Sequence, residues 1–460
     1  MITINVRDGA LGLQRPTNSR LQAKVGTCSA GTVNQVVRLR DPGDITANFG
    51  TGPLANALAD AFAAGARELL VVRSDSDVAG TIGAVTEVKT GTGDMTVDGA
   101  PLDTYQVQVK ILSAGSLNAA TFQYSLDGGD TWSAEYTVPA DGIFVVTGTG
   151  LTLTFTAGLP AEDSFKAGDS YSFTTAAPSS TVTALGAALD ALLAVADEFD
   201  LVHVVGPTTS SIWTALATRA SGLADAGRYL HFVAETRGPT GAETAATWAD
   251  AIVTEVSSFT DTRVSLVAGR AEIRDLLSQR VIERNIAGLY TGRVAAIAEQ
   301  KSPAEVALGS LPQIQSLAPA GITDADLTDL AEAQLVVAKP ILGLSGFYIN
   351  EGWIKAPAGS DYQTVELRRI MDKACRLVRR AALQYDHAEG TPEGVAALEA
   401  QLTAPLENEM GGQITAGRVV IPEQDLIATQ KLQAKIRITP IPIMREIELD
   451  IGFENPSQGV

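Results

Sequence analysis

Only two cysteines, Cys28 and Cys375, and three histidines, His203, His231 and His387, occur in 460 residues. Two cysteines so far apart make neither a disulfide framework nor a zinc-ligand spacing, the pattern expected of a protein assembled in a reducing compartment. The histidines form no H-x-H or H-E-x-x-H element, and His203 and His231 lie inside apolar strand-like runs where a hydrogen-bonded core imidazole is expected. A Walker loop, a G-x-G-x-x-G fingerprint and a G-x-S-x-G elbow are all missing, so no nucleophile and base stand together. No catalytic, cofactor-binding or metal-binding residue is therefore assigned, and no enzymatic activity or cofactor is expected.

Positive charge is scarce too. Lys and Arg number 34 against 53 Asp and Glu, a formal net charge of −19 with an isoelectric point near 4.6. Such a balance argues against direct nucleic-acid binding, which needs a cationic footprint. The longest apolar stretch, "ALGAALDALLAVADEFDLVHVV", is broken by Asp190, Asp197, Glu198 and Asp200 and is too charged to span a bilayer. The opening "MITINVRDGALGLQRPTN" carries no apolar signal-like core, so direct membrane contact is not expected.

What is present is a 45% apolar chain whose periodicity changes along its length. Residues 23–86 and 181–345 alternate short β-branched runs, such as "RELLVVR" and "LVHVVGP", with helical stretches such as "GPLANALADAFAAGA". That alternation predicts an α/β core with a mixed, largely parallel sheet and flanking helices. Residues 87–180 switch to period-two alternation with Gly/Asp turns, which predicts an inserted, sandwich-like all-β domain. This insert holds eleven acidic residues, three lysines and no Arg, His or Cys, a net charge of −8. A third region, 346–440, contains two helical patterns and a strand, and 441–460 ends the chain as an apolar strand.

Within the insert, "YSLDGGDTWS" matches S-x-D-x-G-x-T-W through Ser125, Asp127, Gly129, Thr131 and Trp132. This resembles the Asp-box of sialidases and other β-propeller proteins. Such a box builds a self-bonded hairpin turn, with Asp accepting from backbone amides, Gly supplying unusual dihedrals and Trp packing beneath. One copy, too few strands for a propeller and no local Arg to grip a carboxylate sugar make it a structural turn. A carbohydrate-binding or sialidase-like protein is the alternative it suggests. The "DGGD" run, with Asp127 and Asp130, fails the EF-hand spacing for calcium.

Two further features point to protein partners. From Asp361 to about Tyr385 a helix carries Leu367, Ile370, Met371, Ala374, Leu377, Val378 and Ala381 on one face. Arg369, Lys373, Arg376 and Arg380 fall at i, i+4, i+7 and i+11 on the opposite face, flanked by Arg368 and Arg379. In an acidic chain that stripe is expected to be either a solvated face or a docking surface for an acidic protein. The following helix, with Glu393, Glu399, Glu407 and Glu409, offers an alternative way to neutralise it. At the C-terminus, Ile447, Leu449, Ile451 and Phe453 alternate with Glu446, Glu448, Asp450 and Gly452. Such a strand must bury its apolar face, either on its own sheet or by addition to a neighbouring subunit. Pro440 and Pro442 would make a stiff connector to an arm.

Three stretches then resemble contractile tail sheath proteins, of phages with contractile tails and of R-type bacteriocin particles and other contractile injection systems. They are "KVGTCSAGTVNQVVRLRDPGDITANFGTGPLANALADAFAAGARELLVVR", "GLSGFYINEGWIKAPAGSDYQTVELRRIMDKACRLVRRAA" and "GRVVIPEQDLIATQKLQAKIRITPIPIMREIELDIGFENP". The resemblance implies a homo-oligomer of hexameric rings stacked helically around an inner tail tube, capped by baseplate and tail terminator proteins. It implies a virion tail assembled in the bacterial host cytoplasm, whose contraction drives the tube through a bacterial envelope. Residues 1–22 and 441–460 would be arms exchanged between subunits, with Ile447, Leu449, Ile451 and Phe453 as the C-terminal arm strand. Arg369, Lys373, Arg376 and Arg380 would be candidate tube contacts, and the 87–180 insert would face outward.

Overall fold

The computed structural model describes residues 21–453. The expected N-terminal arm, residues 1–22, lies outside the described residues save for its last two positions, as does the end of the C-terminal arm beyond residue 453. Contacts divide the chain into two units, the first ending at Arg376 and the second beginning at Leu377.

The first unit begins with β1 (Gln22–Gly26), β2 (Val36–Leu39), the short α1 (Ile45–Phe49), α2 (Pro53–Ala63) and β3 (Leu69–Arg73). Glycines mark the entry to α2: Gly50 and Gly52 both have positive φ, and Pro53 opens the helix, where its missing N–H costs nothing. The chain then makes nine strands: β4 (Thr81–Ile82), β5 (Thr86–Val88), β6 (Asp94–Gly99), β7 (Gln106–Ser113), β8 (Thr121–Ser125), β9 (Tyr136–Thr137), β10 (Ile143–Val146), β11 (Leu151–Thr156) and β12 (Ser170–Ala176). All of their strand-to-strand pairings are antiparallel. They form a three-stranded and a six-stranded sheet that share a core of Phe122, Phe155, Phe165 and Tyr171.

The α/β pattern resumes with α3 (Val182–Leu193), β13 (Leu201–Pro207), α4 (Ser210–Asp225), β14 (His231–Glu235), α5 (Ala245–Val256) and β15 (Val264–Val267). Next come β16 (Arg270–Arg274), β17 (Val281–Asn285), α6 (Ala287–Ala296), β18 (Ile314–Ala318), α7 (Asp324–Glu332), β19 (Leu335–Val336), β20 (Ala338–Pro340) and β21 (Phe347–Ile349). The central sheet has the order β19-β15-β14-β13-β1-β3-β2, parallel throughout except for the β2–β3 edge pair. It is thus a mixed sheet with flanking helices, as the alternating pattern predicts. Strand alternation sends Ala23, Val25, Val202, Val204, Phe232 and Ala234 into a core with Trp213 of α4 and Trp248 of α5. The intervening residues, including Lys24, Leu201, His203 and Val233, face the other way, toward α6.

On that second face α2 and α6 approach closely because Gly288 and Gly292 are spaced i, i+4 on α6. A Cβ at Gly292 would lie 2.4 Å from the Ala61 carbonyl oxygen, and one at Gly288 would lie 2.7 Å from Asp60 Cβ.

Helix α8 (Val365–Ala382) starts in the first unit and ends in the second. The second unit continues with α9 (Pro392–Asn408), β22 (Ile414–Val420), the single-turn α10 (Leu426–Thr429) and β23 (Lys435–Pro440). Strands β22 and β23 pair antiparallel, and α9 packs on β22. Leu402, Leu406, Met410, Ile414 and Val419 are buried there.

A helix-interior Gly→Ala change ordinarily stabilises by up to about 1 kcal/mol. Gly292→Ala should do the reverse, destabilising by about 1–3 kcal/mol as the added methyl drives α2 and α6 apart. Thermal unfolding of the variant beside the parent chain measures the sign.

Candidate functional site

The cationic stripe of α8 turns inward at its N-terminal half. Arg369 is 2% exposed and its Nε lies 3.2 Å from Asp200 Oδ2, at the foot of β13. Lys373 is likewise buried, with Nζ 3.6 Å from Glu299 Oε2. Arg376, half-buried, donates to the Tyr229 carbonyl at 3.2 Å, and Arg380 is of intermediate exposure. Beside the stripe, Asp372 accepts from Arg368 on its own helix and pairs with Arg263 Nη1 at 3.1 Å, while the Arg368 guanidinium lies 4.3 Å from the Tyr362 ring centre. The expectation of a solvated or partner-facing stripe is thus corrected for Arg369 and Lys373. Their partners, Asp200 and Glu299, are distant in sequence, so helical periodicity alone could not reveal that the N-terminal half of α8 is covered on both faces. Burial pushes the Asp200 carboxyl up, and the Arg369 and Arg376 charges pull it back.

The C-terminal apolar residues do the opposite. Ile447, Leu449, Ile451 and Phe453 are all exposed, Phe453 fully, and residues 441–453 pair with no strand of the described chain. Met444 is also exposed.

The S-x-D-x-G-x-T-W segment closes on itself as a turn between β8 and β9. Ser125 Oγ donates to Asp127 Oδ1 at 2.7 Å and accepts from the Gly129 amide at 2.8 Å. Asp127 accepts from the Thr131 amide at 2.9 Å and from its hydroxyl at 2.6 Å. Burial raises the Asp127 carboxyl, but the Thr131 and Ser125 bonds outweigh it and hold the group below its ordinary value. The Ser125, Asp127 and Thr131 side chains are thus all occupied in shaping the turn. Trp132 lies against the turn, its Cζ2 3.6 Å from where a Cβ on Gly129 would stand, and keeps 37% exposure.

A polar chain not anticipated from the sequence crosses the second face of the central sheet. Lys24 Nζ lies 2.8 Å from His203 Nδ1 and donates to Thr291 Oγ1 at 2.7 Å, and His203 Nε2 lies 2.9 Å from Glu235 Oε1. Lys24 and His203 are directly paired in the β1–β13 register, and all three ionisable groups are buried. Desolvation lowers Lys24 to about 7, with Asp60 and Glu235 opposing, and raises Glu235 to about 7. His203 falls well below the usual imidazole range through burial and the Lys24 charge. Glu235 ends at a cavity of about 400 Å³ beyond the carboxyl ends of β1, β3, β13 and β14, also lined by Asp60, Asp103, Arg270 and Arg284. Asp60 accepts from Arg284 Nε at 2.9 Å and from its Nη2 at 2.6 Å, and Asp103 accepts from Asn56 at 2.7 Å. The signal in the sequence is an ionisable residue inside each of three apolar runs, Lys24 in "LQAKVG", His203 in "LVHVVGP" and Glu235 in "YLHFVAET". His231 is a separate core imidazole: its Nε2 lies 2.9 Å from Ser265 Oγ, and burial pushes it down to about 3.

Among the described residues no cluster of three or more His, Cys, Asp or Glu side chains could hold a metal ion, and no helix is long and apolar enough to cross a membrane.

Comparison with known families decides the grouping. The N-terminal domain of DUF2586 matches residues 1–352 and its C-terminal domain matches residues 361–458. The chain belongs to the DUF2586 family. No curated protein sequence matches it. Solved structures similar to this DUF2586 chain include a sheath tail protein from Desulfitobacterium hafniense. It is 13% identical with a TM-score of 0.51, covering 96% of this chain and 100% of that one. The contracted sheath of the extracellular contractile injection system PVC matches with a TM-score of 0.57 at 12% identity, over 100% of this chain and 98% of the other. A chain of the contracted baseplate of the anti-feeding prophage also reaches 0.57, at 14% identity over 99% and 98%. This DUF2586 protein therefore has the fold of contractile sheath proteins over essentially its whole length.

Breaking one partner of a buried ion pair strands the other. Arg369→Leu should cost about 3–5 kcal/mol of stability, against less than about 1 kcal/mol for a solvated arginine. Denaturant unfolding of the variant, with Arg379→Leu as the exposed control, separates the two.

Proposed function

We propose that this chain is the structural subunit of a contractile tail sheath, polymerising as stacked hexameric rings around an inner tube and contracting to drive that tube through a bacterial envelope. The observation that carries the reading is a fold shared with sheath proteins over nearly all of both chains. The chain is a mechanical component rather than an enzyme. It belongs to a virion tail built in the bacterial host cytoplasm, and its partners are copies of itself, the tube protein, the baseplate and the tail terminator.

Residues 23–86 with 181–345 form the core domain of this reading, 87–180 an outward-facing sandwich-like module, and 346–440 the sheath domain that accepts arms. Residues 1–22 and 441–460 are the donated arms. Support for the C-terminal arm comes from Ile447, Leu449, Ile451 and Phe453, four apolar side chains left in solvent on a stretch without a strand partner in the described chain. Burying them on a neighbour's sheet would contribute about 6–12 kcal/mol before ordering costs. Pairing of backbone across subunits would then hold the lattice together while other contacts change. The expected tube contact at Arg369, Lys373, Arg376 and Arg380 narrows to the C-terminal end of α8, where Arg380 and its exposed neighbour Arg379 are less enclosed than Arg369 and Lys373.

Electron microscopy of concentrated protein should show rings or tubes for the full chain, and the version ending at residue 440 should remain monomeric by light scattering. Normal polymers from the shortened chain would remove the arm assignment. Reversing charge at Arg379 and Arg380 should weaken assembly templated by the tube protein at low salt, and unchanged assembly would place the tube contact elsewhere.

A further inference from the structure

The Lys24–His203–Glu235 chain has forced hydrogen-bond directions. Thr291 Oγ1 gives its proton to the Ala287 carbonyl at 2.7 Å, so toward Lys24 it accepts. Below about pH 7 Lys24 is an ammonium, a donor only, so there His203 Nδ1 must accept from it, and the single imidazole proton sits on Nε2, directed at Glu235. His203 thus has no lone pair free for a second proton, because one added at Nδ1 would face the ammonium. Glu235 is different. It stands at the cavity end of the chain, and a protonated carboxyl still offers its carbonyl oxygen to Nε2–H.

We propose that the Thr291–Lys24–His203–Glu235 chain is a proton-balanced latch: in mild acid the closed sheet takes up one proton on Glu235 while the opened sheet takes up one on His203, so that opening costs nearly the same across this range.

The signs follow from burial. Glu235 is raised from 4.5 to about 7 by desolvation, so its contribution to stability is full below 4.5 and is lost as pH rises through about 7. His203 is depressed from 6.5 by burial and Lys24, so its contribution is full above 6.5 and is lost as pH falls. Between 4.5 and 6.5 the two slopes oppose. Lys24, lowered from 10.5 to about 7, acts in a different window: its contribution is full above 10.5 and is lost as pH falls toward 7, and in mild acid it is charged in both states. The other ionisable groups around the chain are Asp60 of α2, Asp103 before β7, Arg270 of β16, and Glu283 and Arg284 of β17. They are the same in every variant below, as is His231.

Native-state hydrogen exchange on the full chain reads local opening at the Val25 and Val204 amides, corrected for intrinsic exchange. Between about pH 7 and about pH 5.5, each pH unit across which one group titrates in only one state is worth about tenfold in the opening constant. Relative to the parent chain over that interval, Glu235→Gln should lose about tenfold in protection and His203→Asn should gain about tenfold. Their double variant should return to the parent's pH slope. Parallel pH slopes for the parent and Glu235→Gln would overturn the latch. The His203 ring-nitrogen shifts in the unaltered protein give a test that needs no variant. They should report the neutral Nε2–H tautomer throughout, and titration near 6.5 would overturn the proposal even if Glu235→Gln failed to fold.

Discussion

Charge buried on covered surfaces of the α/β body is the constraint around which the first unit is arranged. A parallel sheet with helices on both faces normally reads as apolar on both, because water reaches neither. Here one face keeps that rule with Trp213, Trp248 and a run of aliphatic side chains. The other sets Lys24, His203 and Glu235 into the sheet and Asp60 into α2 above it. Each must find a partner, since an unpaired buried charge costs several kcal/mol. That requirement ties β1 to β13, β13 to β14, the sheet to α6 through Thr291, and α2 to β17 through Arg284. The close glycine contact between α2 and α6 brings these groups within reach of one another.

The same economy governs the start of α8. A helix with an apolar face and a cationic face usually shows the second to water or to a partner. This one is covered on both, and Asp200, Glu299 and Asp372 supply the matching carboxylates. Such pairs give little net stability compared with apolar packing, but they specify position, because a helix shifted by one turn would part Arg369 from Asp200 and Lys373 from Glu299.

The Asp-box shows how far a local motif can be carried. Its hydrogen bonds involve residues at most four apart in sequence, and the turn forms as its pattern implies. The alternating strands within residues 87–180 are legible for the same reason, since period-two patterning is local. The α8 stripe was legible as a pattern but not as a contact. Arg369 meets Asp200 across 169 positions, and nothing in the spacing of arginines on a helix indicates which carboxylate will lie opposite. A single lysine in "LQAKVG" is equally consistent with an edge strand whose side chain reaches water, so the pattern does not mark Lys24 as internal.

The sequence by itself determined the class of the protein: a charge of −19, no catalytic constellation, an α/β pattern interrupted by strands, and an apolar C-terminal strand without an obvious home. These are properties of composition and short-range periodicity, which survive without knowledge of neighbours. Tertiary structure alone decided which charges are internal. It placed β1 between β13 and β3, so that Lys24 lies beside His203, and set α8 against the foot of β13. Burial depends on what covers a residue, and the covering partners here come from 32 positions away for His203 and Glu235 to 267 for Lys24 and Thr291.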